Sequence, residues 1–153
     1  MTEIPTQPSP WIIGVGNPMR GDDGVGAAVA AQLRADNIEA FDFDGDGAEL
    51  MEMWAHQGQV ILIDAAVSGA PLGTVHRFDA NSDVLPRNFF RHSSHQFGVA
   101  EAVEMARVLD RLPRNLIIYA IEGHNFNLGA PLSKDVELAV LDTVDRIKAD
   151  IAP

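Results

Sequence analysis

Trp11-Ile12-Ile13-Gly14-Val15-Gly16-Asn17-Pro18-Met19-Arg20-Gly21-Asp22-Asp23-Gly24-Val25-Gly26 is the stretch on which the fold turns. Its apolar opening reads as a buried strand that ends in a glycine loop. A helix is expected from about Asp23, with Val25, Val29 and Leu33 spaced for one face.

The alternation continues along the chain. Ala40 to Phe43 reads as a second short strand, and Asp44-Gly45-Asp46-Gly47 as a loop. Glu49 to His56 reads as a short helix. Val60-Ile61-Leu62-Ile63-Asp64 is the clearest strand, ending at its acid, and Thr74 to Phe78 alternates like an edge strand. Asn81 to Ser94 is polar, contains Pro86 and reads as a long functional loop. A helix is expected from His95 to Asp110, a strand from Leu116 to Ile121, and a last helix carrying Val136, Val140, Val144, Ile147 and Ile151. Strands alternating with helices imply an α/β fold, a mainly parallel sheet covered on both faces. No repeat or linker interrupts it. Residues 11–153 are expected to form one domain, preceded by a loose, Pro-rich tail over 1–10 that is neither a signal nor a transit peptide. In such sheets the loops at the carboxyl ends of the strands hold the site. The loop after Val15, the loop after Phe43, Asp64 and Glu122 should therefore share one edge.

Composition narrows the function classes. The chain has 153 residues, no cysteine, and 22 acidic against 11 basic residues, a net charge of -11. Lack of cysteine closes the thiolate-nucleophile route and any Cys-based metal site. The negative charge repels phosphate backbones and anionic lipid, so neither nucleic acid nor membrane is an expected partner, and a metal cation or basic protein patch suits the chain better. No apolar run approaches the roughly 20 residues that span a bilayer, and a cytoplasmic address is expected.

Two familiar readings of the glycine loop fail on chemistry. Met19 stands where a dinucleotide fingerprint needs its third glycine. Gly16 and Gly21 have phosphate-loop spacing, but Asp22 and Asp23 replace the Lys and the Ser or Thr, so the charge is inverted. A carboxylate pair there suits a cation, or caps a helix. Asp64 is either a ligand or the cap of a strand-to-loop turn. His95 sits where it can reach back over the sheet edge, with His92 as its rival, while His56 and His76 read as surface or satisfied core residues. Glu122 either orients a ligand or is a solvated loop acid. Ser68, Ser93 and Ser94 lack an obvious local base, and no Gly-x-Ser-x-Gly elbow is present. Carboxylates with an imidazole point to metal-assisted chemistry.

These residues resemble a known family. Gly14-x-Gly16-Asn17-x-x-x-x-Asp22-Asp23-Gly24-x-Gly26 is similar to the N-terminal signature of the nickel–iron hydrogenase maturation endopeptidases. Ile61-Leu62-Ile63-Asp64-Ala65, Ser94-His95-Gln96-x-Gly98 and Leu132-Ser133-x-x-Val136 resemble later motifs of that family, in the same order. The resemblance implies a three-layer sandwich, a twisted, mostly parallel sheet between helices. It implies a catalytic metal site at Asp23, Asp64 and His95, with Asp23 where the family often has Glu. It further implies that the partner is a nickel–iron hydrogenase large-subunit precursor, which loses a C-terminal peptide after nickel insertion. On this resemblance the nickel would be delivered by the substrate, and other divalent metals would suit the same ligands. A non-catalytic nickel-binding or chaperone-like module would use the same side chains. Two departures stand out: Asp44-Gly45-Asp46-Gly47 where the family often has Asp-Gly-Gly-Thr, and Ile121-Glu122-Gly123 where it has Ile-Glu-Pro.

Overall fold

The structure, a computed structural model, describes residues 9–90 and 97–152. Among them five strands form one sheet: β1 (Trp11–Val15), β2 (Phe41–Phe43), β3 (Gln59–Ala66), β4 (Val75–Asp79) and β5 (Asn115–Glu122). The helices are α1 (Val25–Ala35), α2 (Gly47–Trp54), α3 (Val99–Val108) and α4 (Lys134–Ile151), with 3-10 turns at Gly21–Gly24 and Arg87–Phe90. The sheet order is β2-β1-β3-β5-β4. All neighbours are parallel except β4, which runs antiparallel to β5 at the edge. The α/β architecture and the parallel core agree with the sequence reading.

The pleat sorts the core into two layers. Val60, Leu62 and Ala66 of β3, with Leu116, Ile118 and Ala120 of β5, pack in the cluster that holds Leu50 and Trp54 of α2 and Val99 and Val103 of α3. Ile61, Ile63 and Ala65, with Tyr119 and Ile121, pack on the opposite side with Val29 and Leu33 of α1 and Val136 and Val140 of α4. A strand buried on both faces needs a continuous aliphatic run, and β3 and β5 supply it. On α4 the buried residues Val136, Val140, Val144 and Ile147 recur at helical spacing, so one stripe faces the sheet.

Several boundaries differ from the sequence reading, and three of them bear on the site. β3 continues two residues past Asp64, because Ala65 and Ala66 pair with Ile121 and Glu122 of β5. Asp64 is thus inside the strand and not at its end. A 3-10 turn occupies Gly21–Gly24 before α1 begins at Val25. The helix expected to open at His95 begins at Val99 instead, with Gly98 as N-cap and the Glu101 carboxylate accepting from the Gly98 N–H at 3.2 Å. Phe97 and Gly98 are not helical. Among the described residues no helix is long and apolar enough to cross a membrane.

Candidate metal and active site

β1 is flanked by β2 on one side and β3 on the other, and the chain leaves β1 toward β2 and returns to β3. The strand order reverses at that seam, and the carboxyl ends of the strands at such a reversal are where sheets of this kind bind their ligands. Helix α1 sits directly on the seam. A Cβ at Gly26 would come within 2.5 Å of the Val15 carbonyl oxygen and 2.6 Å of that of Ile63. One at Gly14 would come within 2.1 Å of the Gly26 carbonyl oxygen. Both glycines are therefore set by close approach of backbone to backbone, and that approach brings the start of the helix, and Asp23 just before it, onto the β1–β3 seam.

Asp23 folds back over the loop. Its Oδ2 accepts from the Asn17 N–H at 2.8 Å. Gly16 has φ +126°, and a Cβ there would lie 2.1 Å from the Asp23 carbonyl oxygen and 3.0 Å from Oδ1. The Gly16 N–H donates to the Phe43 carbonyl at 2.9 Å, which ties the loop to the end of β2. Asp23 is half-buried.

Asp22 has a different job. It is fully buried, and its carboxylate accepts from the N–H groups of His124 (2.9 Å), Asn125 (3.0 Å) and Ser133 (2.7 Å) and from the Ser133 hydroxyl (2.7 Å). Burial alone would raise its pKa. The hydrogen bonds from Asn125, Ser133 and His124 and from the Ser133 hydroxyl outweigh it and hold the carboxyl below its ordinary value. Asp22 thus fastens the loop after β1 to the segment between β5 and α4. Neither acid caps α1 or the 3-10 turn through its side chain. Ser133 is the N-cap residue of α4 but gives its hydroxyl to Asp22.

Asp64 is 3% exposed, and its Oδ1 accepts from the Ala65 N–H at 2.8 Å. The alternation along β3 places it on the α2–α3 face of the sheet. Glu122 is on the same face of β5 by the same alternation and is 2% exposed, which rules out the solvated loop acid of the two readings. It accepts from the Ser68 N–H and hydroxyl and sits 3.0 Å from His76 Nε2. His76 is accordingly a satisfied, largely buried residue, and Ser68, which has no local base in the sequence, is tied to the same carboxylate. Their link to Glu122 spans 54 and 46 residues of sequence, so no local pattern announces it. In the departed loop, Asp46 is the N-cap of α2 and accepts from the Glu49 N–H at 3.0 Å. That acid closes a helix end.

His95 and His92 lie outside the described residues. Among the described residues no group of three or more His, Cys, Asp or Glu is placed to hold a metal ion. The fold sets Asp23 in the turn that follows β1 and Asp64 in the neighbouring parallel strand β3, both toward the carboxyl edge of the sheet. Two oxygen donors there, one nearly buried, have the chemistry that a divalent cation needs, and an added imidazole would suit a borderline metal such as nickel or zinc.

The profile of the family described as "HycI: Hydrogenase maturation protease" matches residues 27–150, starting just after the glycine loop. Hydrogenase 2 maturation protease of Escherichia coli is 25% identical over 145 residues, covering 90% of this chain and 87% of that protein. Hydrogenase expression/formation protein HupD of Thiocapsa roseopersicina is 25% identical over 124 residues, 76% of this chain but 55% of that protein, so the match spans little more than half its length. Among solved structures, the hydrogenase maturating endopeptidase HybD from E. coli superposes with a TM-score of 0.72 at 19% identity, covering 93% of this chain and 91% of that one. The [NiFe] hydrogenase maturation protease HycI from Thermococcus kodakarensis gives 0.72 at 16% identity, covering 95% and 93%. The structural likeness establishes the shared fold, and the profile match over most of the chain establishes the lineage: this chain belongs to the hydrogenase maturation protease family.

Proposed function

We propose that this chain is an endopeptidase that removes a C-terminal peptide from the large-subunit precursor of a nickel–iron hydrogenase after nickel has been inserted. The observation that carries the reading is the placement of Asp23, in the turn that follows β1, and of Asp64, in the neighbouring parallel strand β3, toward the carboxyl edge of the sheet, in a chain of this family. Nickel enters as part of the substrate. Asp23, Asp64 and His95 are the residues that would hold it, and in that pose it would polarise the scissile carbonyl or lower the pKa of an attacking water.

The chain's own groups prepare that encounter. The Asn17 N–H orients the Asp23 carboxylate, and the Ala65 N–H orients that of Asp64. Burial of Asp64 removes competing water from its oxygens and strengthens its pull on a cation. The acidic chain, at net charge -11, favours a cation-bearing substrate over a nucleotide.

The test is the intact mass of a nickel-loaded precursor after mixing with this chain. Loss of a C-terminal peptide with nickel-loaded precursor, and none with metal-free precursor, is expected. Nickel uptake without any mass change would replace the endopeptidase by a non-catalytic nickel-binding module.

A further inference from the structure

We propose that Glu122 is a positioning residue for the endopeptidase site: its buried carboxylate locks the chain that follows Asp64 and so fixes the pose of Asp64 at the sheet edge. The kinetic arm of the argument rests on the endopeptidase reading above, whereas the structural arm does not.

The connection from β3 to β4 is closed on Glu122 at both ends. At its start, the Ser68 N–H donates to both carboxylate oxygens, at 3.0 and 3.1 Å, and the Ser68 hydroxyl donates to Oε1. At its finish, the Gly73 N–H donates to the Glu122 carbonyl and the Glu122 N–H to the Thr74 carbonyl, each at 2.9 Å. His76, in β4, brings Nε2 to 3.0 Å from the same Oε1. The ring of His76 meets Phe89 edge-on at 4.7 Å between centroids, and the Phe89 carbonyl accepts from the Val67 N–H at 2.7 Å. Val67 and Ser68, three and four residues past Asp64, are thereby held from two directions.

A carboxylate suits this junction because it only accepts, with about four lone-pair sites for converging donors. The departure from Ile-Glu-Pro reinforces it. The Gly123 N–H donates to the Ala66 carbonyl at 3.0 Å, a bond proline cannot make. A Cβ at 123 would also lie 2.7 Å from the Asp22 Cβ. Glycine therefore lets β5 grip the end of β3 while Asp22 fastens the neighbouring loop.

A neutral amide can substitute at this junction. The side chain introduced by Glu122→Gln would offer its oxygen to the Ser68 N–H and its NH₂ to His76 Nε2, with the imidazole switching tautomer. Alanine leaves the donors without an acceptor. The experiment compares Glu122→Gln, Glu122→Ala and Ser68→Ala, at a temperature where each is folded, by amide hydrogen exchange and by cleavage of nickel-loaded precursor. In E122A the Val67 and Ser68 amides should lose protection by roughly tenfold or more while those of Leu62 and Ile118 keep it. kcat should fall by roughly tenfold or more with KM held within about threefold, and E122Q should restore both readouts to within about threefold of the parent. Should E122A not fold, S68A carries the test with a smaller loss of protection and of kcat. Unchanged protection at Val67 and Ser68 in E122A overturns the lock. An E122Q variant with protected amides but a kcat as low as that of E122A also overturns it, since the charge itself would then be needed in the chemistry. A parent chain that cleaves no precursor, alongside lost protection in E122A, supports the lock and sinks the endopeptidase reading.

Discussion

Asp22 takes both the backbone N–H and the hydroxyl of Ser133, each at 2.7 Å, across 111 residues of sequence. The pair joins the loop that carries Asp23 to the N-cap of α4. The adjacent acids Asp22 and Asp23 are therefore divided between two tasks, one holding the frame and the other folded back onto the glycine loop.

Replacing Asp22 by Ala should cost roughly 2–4 kcal/mol of stability, since four donors lose one buried acceptor at once. Denaturant unfolding at neutral pH measures it. An effect no larger than that of a surface substitution would mean that water replaces the carboxylate.

Acid should reproduce part of that loss. The Asp22 pKa is depressed on folding from its ordinary 3.8, so its contribution is full above that value and disappears as pH falls through the lower, folded-state value. The parent should lose stability over that acid range more steeply than the D22N variant, which has no proton to take up there. Parallel stability–pH curves for the two proteins would show that Asp22 titrates alike in both states.

Tyr119 is the chain's one tyrosine, so its titration can be read by phenolate absorbance without overlap. Burial first, and then the hydrogen bond to Asp150, push its pKa up to about 12, against the opposing pull of Arg77. The phenolate should appear near that pH in the folded chain and near about 10 after unfolding. Because the folded value is the higher one, this contribution is complete below the unfolded pKa and is lost as pH rises through the folded one. Asp150→Asn should lower the native midpoint, and an unchanged midpoint would leave burial as the sole cause.

Much of this frame was legible in the sequence because its signals are local. The aliphatic runs of β3 and β5 announce strands buried on both faces, and the glycines around Asp22 and Asp23 announce a tight strand-to-helix turn. What was not legible depends on distant partners. Asp22 and Asp23 look equivalent until the turn at 124–133 folds onto one of them. Glu122 looks like a loop acid until the β3–β4 connection covers it. Asp64 looks like a strand end because the two alanines after it carry little strand signal, yet they pair with β5.

The Asp23 and Asp64 assignment separates charge from shape. Asp64→Asn keeps the size of the side chain and an oxygen for the Ala65 N–H, so the strand should be unperturbed. Asp23→Asn likewise keeps an acceptor for the Asn17 N–H. Each removes one negative charge from the edge where nickel would be received. Both variants should fold like the parent, bind nickel or cadmium at least roughly tenfold more weakly by calorimetry, and fail to shorten nickel-loaded precursor. Asp23→Glu keeps the charge and lengthens the reach by one methylene, so it should stay within about threefold of the parent in affinity. The ordering matters more than any single value. If D64N and D23N bind metal as tightly as the parent, the carboxylates are not ligands. If D23E is as weak as D23N, the short reach of Asp23 over Gly16 is itself a requirement, and the turn at Gly16 with φ +126° has been matched to an aspartate.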